Sequence, residues 1–396
     1  MQLPHLSPLE AAIEKLSMRL QPVAAQQSSI ADIAGRVLAA DLDADRDCPA
    51  LDMSAMDGYA LRLEENLPTT LPVQGTAAAG SEPLTLLSGQ AIRIFTGAAV
   101  PIGADCVVRR EDTVEQPHQV QLTIPISDLR EGQNVRRRGE NSPQGAQILA
   151  RGSLIDASSI AAVASFGPSR LSVYRPVRVA VLNTGDELAD PGAAVEDWQI
   201  RDSNGPTLAA WLDRLSWVET AARQRVGDTL QNVQAALSAQ LEHCDAILLT
   251  GGVSMGDTDY VPAAIESLGG EIVFHRLPIR PGRPVLGAIL DGKLIVGLPG
   301  NPVSVAVTAR VVAEPLLRKL AGCEFAAPRL VVQLAETDHK RLDLTWFRLV
   351  TIDACGAVRL ASSQGSGDLV SLSRSSGFVE VPAGGDSQGP VPLTLW

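Results

Sequence analysis

The sequence is poor in the residues that build disulfide frameworks and metal centres. Its five cysteines lie far apart and include no C-x-x-C pair, so we expect neither a disulfide framework nor a structural zinc site. The five histidines are equally scattered, and we assign them no chemistry. This cysteine usage fits a reducing compartment, and we expect a cytoplasmic protein.

The sequence also lacks long apolar runs and an excess of basic charge. No apolar stretch approaches the roughly 20 residues needed to span a bilayer, and the N-terminal residues lack the apolar core of a signal peptide. The formal net charge of −12 argues against nucleic-acid binding, which needs a wide basic surface. We therefore expect no membrane and no nucleic-acid partner.

The length of 396 residues exceeds what one hydrophobic core usually serves, so several domains are expected. Hydrophobic periodicity predicts a multidomain α/β plus β fold, with a helical N-terminal arm, a small β-rich domain and a C-terminal β domain around a central three-layer α/β domain. The predicted parts are residues 1–43 with 140–172 (helical), 44–139 (β-rich), 173–322 (α/β) and 323–396 (β).

The segment 173–322 alternates buried strands with amphipathic helices, which predicts a mostly parallel sheet. The clearest strands are residues 177–182, 245–250 and 293–298. We also expect Asp228 to cap the helix that follows it, and Asn301 to cap one that begins at Pro302.

Each clear strand is followed by a polar, glycine-containing loop. These loops begin at Thr184, Gly251 and Pro299, and they include Gly252, Ser254, Gly300 and Asn301. Because the carboxyl ends of parallel strands meet at one crevice, all three loops should line one site. Glycines allow close backbone approach and helix N-termini attract phosphate, so the loops predict phosphate binding.

Acidic residues lie on the same loops. Glu187, Asp257 and Asp259 would repel a phosphate unless a cation lay between them. Mg²⁺ is typically held by one or two carboxylates together with phosphate oxygens. We therefore expect these three carboxylates to be metal ligands, and Asp259 in addition to cap the helix that follows.

Seven motifs carry a resemblance to a known family. They are SAMDGYA (54–60), IFTGAAVPIGAD (94–105), GQNVRRRGE (132–140), NTGDEL (183–188), TGGVSMGDTDY (250–260), RPGRP (280–284) and LPGNPVS (298–304). In this order they resemble the molybdopterin molybdenumtransferase family, which includes MoeA and the gephyrin E-domain, along essentially the full chain.

The resemblance implies a reaction and an assembly. The family places molybdate on adenylylated molybdopterin with Mg²⁺, hydrolysing the phosphoanhydride and releasing AMP. It also implies a homodimer whose cleft joins the α/β domain of one subunit to the SAMDGYA domain of the other. Molybdopterin adenylyltransferase and molybdoenzymes, or the chaperones of those enzymes, are expected as transient partners.

The resemblance also implies site residues. The expected catalytic residues are Asp57, Glu187, Asp228 and Asp259. Besides the loop residues above, the expected substrate-binding residues are Thr96, Arg137, Arg276, Arg280, Arg283, Ser371 and Ser373, and the C-terminal motifs add Arg341 and Arg348.

The sequence departs from the family pattern at several positions, of which the change to Met53 before Ser54 is minor. Asn141 stands where members commonly have a carboxylate, and Arg276, Arg280 and Arg283 stand where lysines are common. Arginine stays protonated, so these side chains can act only as fixed charges. Two alternative functions follow: a molybdopterin adenylyltransferase, whose usual TGGTG loop is here replaced by Gly251 to Ser254, and a paralogue that has lost catalysis and serves as a cofactor-binding scaffold.

Overall fold

A computed structural model describes residues 7–254, 256, 259–323 and 330–396 of the chain. The chain divides into two compact units. The larger unit runs up to Ala40, takes in Arg151–Ala157 and continues from Arg170 onwards, and the smaller unit comprises Asp41–Ala150 and Ser158–Ser169. The four-part division expected from the sequence stays a prediction.

The helices of the described ranges are short. They are α1 (Pro8–Ser17), α2 (Ala157–Phe166), α3 (Asn204–Leu212), α4 (Leu230–Leu241), α5 (Val261–Ser267), α6 (Pro302–Thr308), α7 (Glu314–Leu320) and α8 (Leu369–Arg374). None of these helices has the length and apolarity needed to cross a bilayer.

The strands of the same ranges form several sheets. In the first half of the chain they are β1 (Ala25–Ser29), β2 (Leu42–Asp43), β3 (Met53–Ser54), β4 (Gly58–Leu61), β5 (Thr70–Ala77), β6 (Ala91–Ile94), β7 (Cys106–Arg109), β8 (Thr113–Gln116), β9 (Gln119–Leu122), β10 (Val135–Arg136), β11 (Gln147–Leu149), β12 (Arg170–Tyr174), β13 (Val177–Thr184), β14 (Leu188–Ala189) and β15 (Ile200–Arg201). In the second half they are β16 (Val218–Val226), β17 (Ala246–Thr250), β18 (Glu271–His275), β19 (Ile279–Arg280), β20 (Leu286–Leu290), β21 (Lys293–Leu298), β22 (Leu330–Gln333), β23 (Thr345–Ile352), β24 (Val358–Leu360), β25 (Gly377–Val381) and β26 (Pro390–Leu395).

The central sheet of the larger unit has the order β16-β13-β17-β21-β20-β18. The pairs β16 with β13, β13 with β17 and β17 with β21 are parallel, whereas β20 is antiparallel to both of its neighbours. The three clear strands predicted from the sequence, now β13, β17 and β21, are therefore confirmed as adjacent and parallel, with their carboxyl ends at one edge.

Both faces of the inner strands of this sheet are buried, as their apolar runs require. Val177, Val179 and Val181 of β13 belong to a hydrophobic cluster with α1, α3 and α6. Ala180 and Leu182 of the same strand belong to a second cluster with α4 and α5. Because alternate residues of a strand point to opposite faces, this division confirms the predicted three-layer α/β arrangement.

The remaining sheets confirm the predicted β character of the flanking parts. The larger unit contains a second sheet of order β19-β23-β25-β26-β22, in which the two-residue strand β19 pairs with β23. The smaller unit is built around a sheet of order β7-β4-β6-β5-β9-β8.

The predicted helical arm over residues 1–43 is wrong beyond Ser17. Helix α1 is fixed at its start by a capping box, in which Ser7 and Glu10 bond each other's backbone N–H groups. After it the chain forms β1, a polar strand that pairs with β12. A strand made by long-range pairing leaves no local periodicity, which is why the sequence did not reveal it.

The helix caps predicted for α6 and α4 have different outcomes. Asn301 occupies the N-cap position of α6, as predicted, but its side chain makes no capping bond and instead donates from Nδ2 to Ser366 Oγ at 2.9 Å. The cap of α4 is Thr229, whose Oγ1 accepts the Asn232 N–H at 3.2 Å, and not Asp228. The Asp228 carboxylate instead accepts the backbone N–H of Asp186. The Asp228 side chain therefore does not bond the N-terminus of α4.

Candidate functional site

A cleft of about 420 Å³ lies at the carboxyl ends of β13, β17 and β21. The three predicted loops meet there and contribute Thr184, Glu187, Gly251, Gly252, Ser254, Asp259, Pro299, Gly300 and Asn301 to its walls, with Asp228 from the loop before α4. The arrangement follows from the topology, since parallel strands deliver their following loops to the same edge.

The loop after β17 requires glycine. Gly251 and Gly252 have φ of 83° and 61°, a conformation that side chains with a Cβ rarely adopt. A Cβ on Gly251 would lie 2.7 Å from the Thr184 carbonyl oxygen, so the loops after β13 and β17 pack backbone against backbone. Both glycines line the cleft, so the main chain of this loop is open to a ligand there.

Three carboxylates line the cleft: Glu187, Asp228 and Asp259. The pKa of Asp228 is raised, first by burial and then by the negative charges of Asp186, Glu187 and Asp259. Asp186 and Asp228 also bond each other's backbone N–H groups, both at 3.1 Å, which ties the two loops together. Negative charge is therefore concentrated at one side of the cleft.

The structure does not confirm the helix cap expected of Asp259, and it does not describe Asp257. Asp259 does not cap α5, whose N-cap residue is Tyr260. The Asp259 carboxylate instead accepts the Gly256 N–H at 2.6 Å. Asp257, an expected metal ligand, lies outside the described residues. Within the ranges that are described, no three histidine, cysteine, aspartate or glutamate side chains form a group that could hold a metal ion by themselves.

Several cleft residues were not predicted from the sequence. Strands β14 and β15 supply Leu188, Ile200 and Arg201, and the start of α3 supplies Ser203 and Asn204. Leu188 and Ile200 form an apolar strip, and Arg201 brings a cation that donates from Nε to the Ala193 carbonyl at 2.7 Å. Short strands paired only with each other give little sequence signal.

The arginines Arg276, Arg280 and Arg283 are not among the residues that line this cleft, although Pro284 is. Arg280 lies over the Trp346 ring, with its Cζ 5.6 Å from the ring centroid, and Arg348 lies 4.1 Å from the same centroid. Arg276 has φ of 66°, and the Arg283 carbonyl accepts the Leu277 N–H. Their predicted role as fixed charges toward the ligand stays a prediction.

Asp57 and Thr96 meet in the smaller unit. The Asp57 carboxylate accepts the Thr96 N–H at 2.7 Å and the Thr96 hydroxyl at 2.8 Å. These two bonds lower the pKa of Asp57, and the nearby charges of Arg110 and Arg93 lower it further. Asp57 and Thr96 are 39 positions apart in the chain, so only the family resemblance indicated that both belong to a site.

The arginine run of the smaller unit is bonded to acids. Arg137 pairs with Asp52 at 2.7 Å, and Arg138 pairs with Asp47. Arg136 pairs with Glu140 at 2.7 Å and also donates to the Oδ1 of Asn141 at 2.9 Å. Asn141 thus still supplies an oxygen to the arginine run where family members commonly have a carboxylate.

The expected C-terminal residues hold local structure. The Ser371 hydroxyl donates to Asp368, the N-cap residue of α8, and the Ser373 hydroxyl donates to the Val370 carbonyl. Arg341 pairs with Asp386, and Arg348 pairs with Asp338 through both oxygens. None of these described residues is among those that line the cleft.

Comparison with known families covers both halves of the chain. Residues 7–167 match the family model described as the MoeA N-terminal region (domain I and II). Residues 180–319 match the model described as a probable molybdopterin binding domain. The second match contains the cleft and its three loops.

Relatives and solved structures match over nearly the whole chain. A molybdopterin molybdenumtransferase of Synechococcus elongatus is 36% identical over 389 residues, covering 95% of each chain. One from Staphylococcus aureus is 30% identical, covering 95% of this chain and 92% of its own. The solved structure of a MoeA protein from Pyrococcus horikoshii matches with a TM-score of 0.78 at 28% identity, covering 98% of this chain and 99% of that chain. The chain therefore belongs to the molybdopterin molybdenumtransferase family, whose members are enzymes of molybdenum cofactor biosynthesis.

Proposed function

We propose that this chain catalyses the Mg²⁺-dependent insertion of molybdate into adenylylated molybdopterin, with hydrolysis of the phosphoanhydride and release of AMP. The observation that carries this proposal is the cleft itself, where glycine loops from three parallel strands meet three carboxylates. Main-chain loops at strand ends suit a phosphate, and the acids beside them suit a hard cation.

The residues of the cleft fit a magnesium ion. The raised pKa of Asp228 reflects burial and neighbouring acids, and a divalent cation would relieve that repulsion. Glu187 and Asp259 are the ligands we propose, with phosphate oxygens completing the set. When bound, Mg²⁺ would neutralise phosphate charge and so favour attack on the phosphoanhydride.

Asp228 is proposed as the general base. Its carboxylate lines the cleft together with Glu187 and Asp259, and a carboxylate placed there can take a proton from water. One of its oxygens, Oδ2, already accepts the Asp186 N–H, so the other oxygen would take the proton from water. The water oxygen forms a new bond to one phosphorus of the phosphoanhydride, and the bond from that phosphorus to the bridging oxygen breaks. The bridging oxygen stays on the other phosphate, so AMP and the molybdopterin phosphate separate.

The remaining cleft residues would bind the substrate. Leu188 and Ile200 offer an apolar strip on which a planar heterocycle can lie, and Arg201 offers a charge for an anionic group. Arg280 and Arg283 are proposed, from the family resemblance, as fixed positive charges toward molybdate. The cytoplasmic location and the transient partners expected from the sequence stay predictions.

The homodimer is a further part of this proposal. It rests on the family resemblance, which implies that Asp57 and Glu187 serve one cleft from two different subunits. Asp57→Ala and Glu187→Ala would then each inactivate a homodimer, while a mixed dimer would keep one intact site of two. Co-refolded variants should recover about a quarter of wild-type activity, because half of the dimers are mixed. Activity that stays at the level of the single variants, although mixed dimers have formed, would contradict the shared cleft.

The direct test of the function is incubation of the purified protein with adenylylated molybdopterin, Mg²⁺ and molybdate while AMP is measured. We expect AMP release that requires both Mg²⁺ and molybdate. Absence of AMP above background would favour the scaffold alternative. Consumption of ATP with free molybdopterin would favour the adenylyltransferase alternative.

A further inference from the structure

A chain of buried polar side chains lies at the wall of the cleft and behind it. Asn183 and Thr184 at the end of β13 are 4% and 6% exposed, Thr250 at the end of β17 is 1% exposed, and Asn204 at the start of α3 is 9% exposed. Buried polar groups are costly unless they are hydrogen-bonded, so their partners show what they hold in place.

The hydrogen bonds of this chain converge on the Asp202 carboxylate. The Thr250 hydroxyl donates to Asn183 Oδ1 at 3.0 Å, and Asn183 Nδ2 donates to Asp202 Oδ2 at 2.6 Å. Asp202 Oδ1 accepts the Gly205 N–H at 2.9 Å, inside the first turn of α3. An ionised carboxylate can only accept, and Asp202 receives one donor on each oxygen.

The same region reaches the other two loops. Asn204 Nδ2 donates to the Gly300 carbonyl at 2.7 Å, and the Thr184 hydroxyl donates to the Thr250 carbonyl at 3.2 Å. Residue 205 must be glycine, since a Cβ there would lie 2.3 Å from Asn183 Nδ2 and 2.5 Å from Asp202 Oδ2. The side chains of the network are therefore packed too closely around residue 205 to admit a Cβ.

Asp202 is central to the network but is not among the described residues that line the cleft. We propose that Asp202 and Asn183 are positioning residues, which set the spacing of the three cleft loops through Gly205, Thr250 and Asn204 so that the loops fit the phosphate of the ligand. The inference rests on the proposed function, because AMP is the ligand used to test it.

Each bond of the network has a defined donor and acceptor, so exchanging the amide and the carboxylate between positions 183 and 202 tests it. In Asp202→Asn, one amide N–H group would face a donor, either Asn183 Nδ2 or the Gly205 N–H, and one bond is lost. In Asn183→Asp, two carboxylates would face each other. The double variant Asn183→Asp with Asp202→Asn restores every bond, because the carboxylate at 183 accepts from Thr250 and from the amide at 202, whose oxygen accepts from Gly205. Asp190→Asn is the matched control, since this exposed acid lies on the loop after β14.

The readouts separate positioning from simple stability. We expect each single variant to bind AMP with Mg²⁺ about tenfold more weakly by calorimetry, and the double variant to recover binding to within about threefold of wild type. A residue that only stabilised the fold would lower the melting temperature but leave AMP affinity unchanged in the folded protein. That result, or a folded double variant that does not recover, would overturn the proposal.

Two further measurements keep the proposal testable. If a single variant does not fold, Thr250→Val removes only the donor to Asn183 and should weaken AMP binding in the same sense; unchanged binding would count against the network. If wild type binds no AMP, hydrogen exchange of the peptides covering residues 246–254 and 298–303 tests the positioning role by itself, while AMP release from adenylylated molybdopterin still decides the proposed function. Exchange should be faster in the single variants and return to the wild-type rate in the double variant; equal exchange in all would reject the positioning role.

Discussion

Two groups of acidic residues in this molecule have opposite surroundings. In the smaller unit, Asp47, Asp52 and Glu140 bond to the run of three arginines that begins at Arg136. In the cleft of the larger unit, the charged neighbours with the largest effect on Asp228 are other acids. One group is neutralised within the chain, and the other concentrates negative charge.

The pKa shifts of the two groups of acids go in opposite directions. The pKa of Glu140 is lowered by the Arg136 side chain and the Arg137 N–H, and that of Asp47 by the Gln144 N–H and by Arg138. The pKa of Asp228 is raised by burial and by neighbouring acids. Charge counted along a sequence therefore does not tell which acidic side chains are already paired with a cation, and we propose the external cation for the cleft acids, whose charged neighbours are other acids.

The largest expected effect comes from removing the cleft carboxylates. Glu187→Ala or Asp259→Ala should lower Mg²⁺-dependent AMP release about 100-fold, because each removes a proposed ligand of the charge that stabilises the reacting phosphates. The control Asp190→Ala removes an exposed acid of the same unit and should leave the rate unchanged. Wild-type rates in either cleft variant at limiting Mg²⁺ would refute the ligand assignment.

A smaller effect is expected on stability at Asp228. Because its pKa is raised in the folded protein, the folded state binds the proton more tightly than the unfolded chain, and stability falls as pH rises through the folded pKa. Asp228→Asn should therefore melt at a higher temperature than wild type at pH 7. The difference should vanish below pH of about 4, where both the native and the unfolded carboxyl are protonated. Thermal unfolding across this pH range checks the prediction; a variant that melts lower at pH 7 would contradict it.

The smallest effect is expected in the arginine cluster of the smaller unit. Asp52 accepts from the Arg137 side chain and from the Arg138 N–H, and both partners are partly exposed. Asp52→Ala should lower the free energy of unfolding by about 1 kcal/mol, measured by urea denaturation. The Mg²⁺ concentration for half-maximal AMP release should stay the same, and a shift in it would show that the two acid groups are not independent.

The parts of the fold and site that local patterns control were predictable. Strands β13, β17 and β21 are apolar runs, and their glycine loops sit where the topology places them, so the cleft loops were identified from sequence. Asn301 with Pro302 likewise marks the start of α6 by local chemistry.

The parts that depend on distant partners were not predictable. Strand β1 exists because β12 pairs with it, and Asn183 is oriented by Asp202, nineteen residues further along the chain. The arginine run looks like free positive charge in the sequence, yet two of its partners, Asp47 and Asp52, come from a separate segment. Asp228 lost its predicted capping role because Thr229 supplies the cap one residue later.

The most direct test of the contrast between the two acid groups is the melting temperature in AMP with and without Mg²⁺. We expect Mg²⁺ to raise the melting temperature of wild type and of Asp52→Ala in the presence of AMP, because ligands of the folded state stabilise it. We expect no such rise for the double variant Glu187→Ala with Asp259→Ala. A double variant that Mg²⁺ stabilises as much as wild type would contradict the claim that the cleft acids hold the cation.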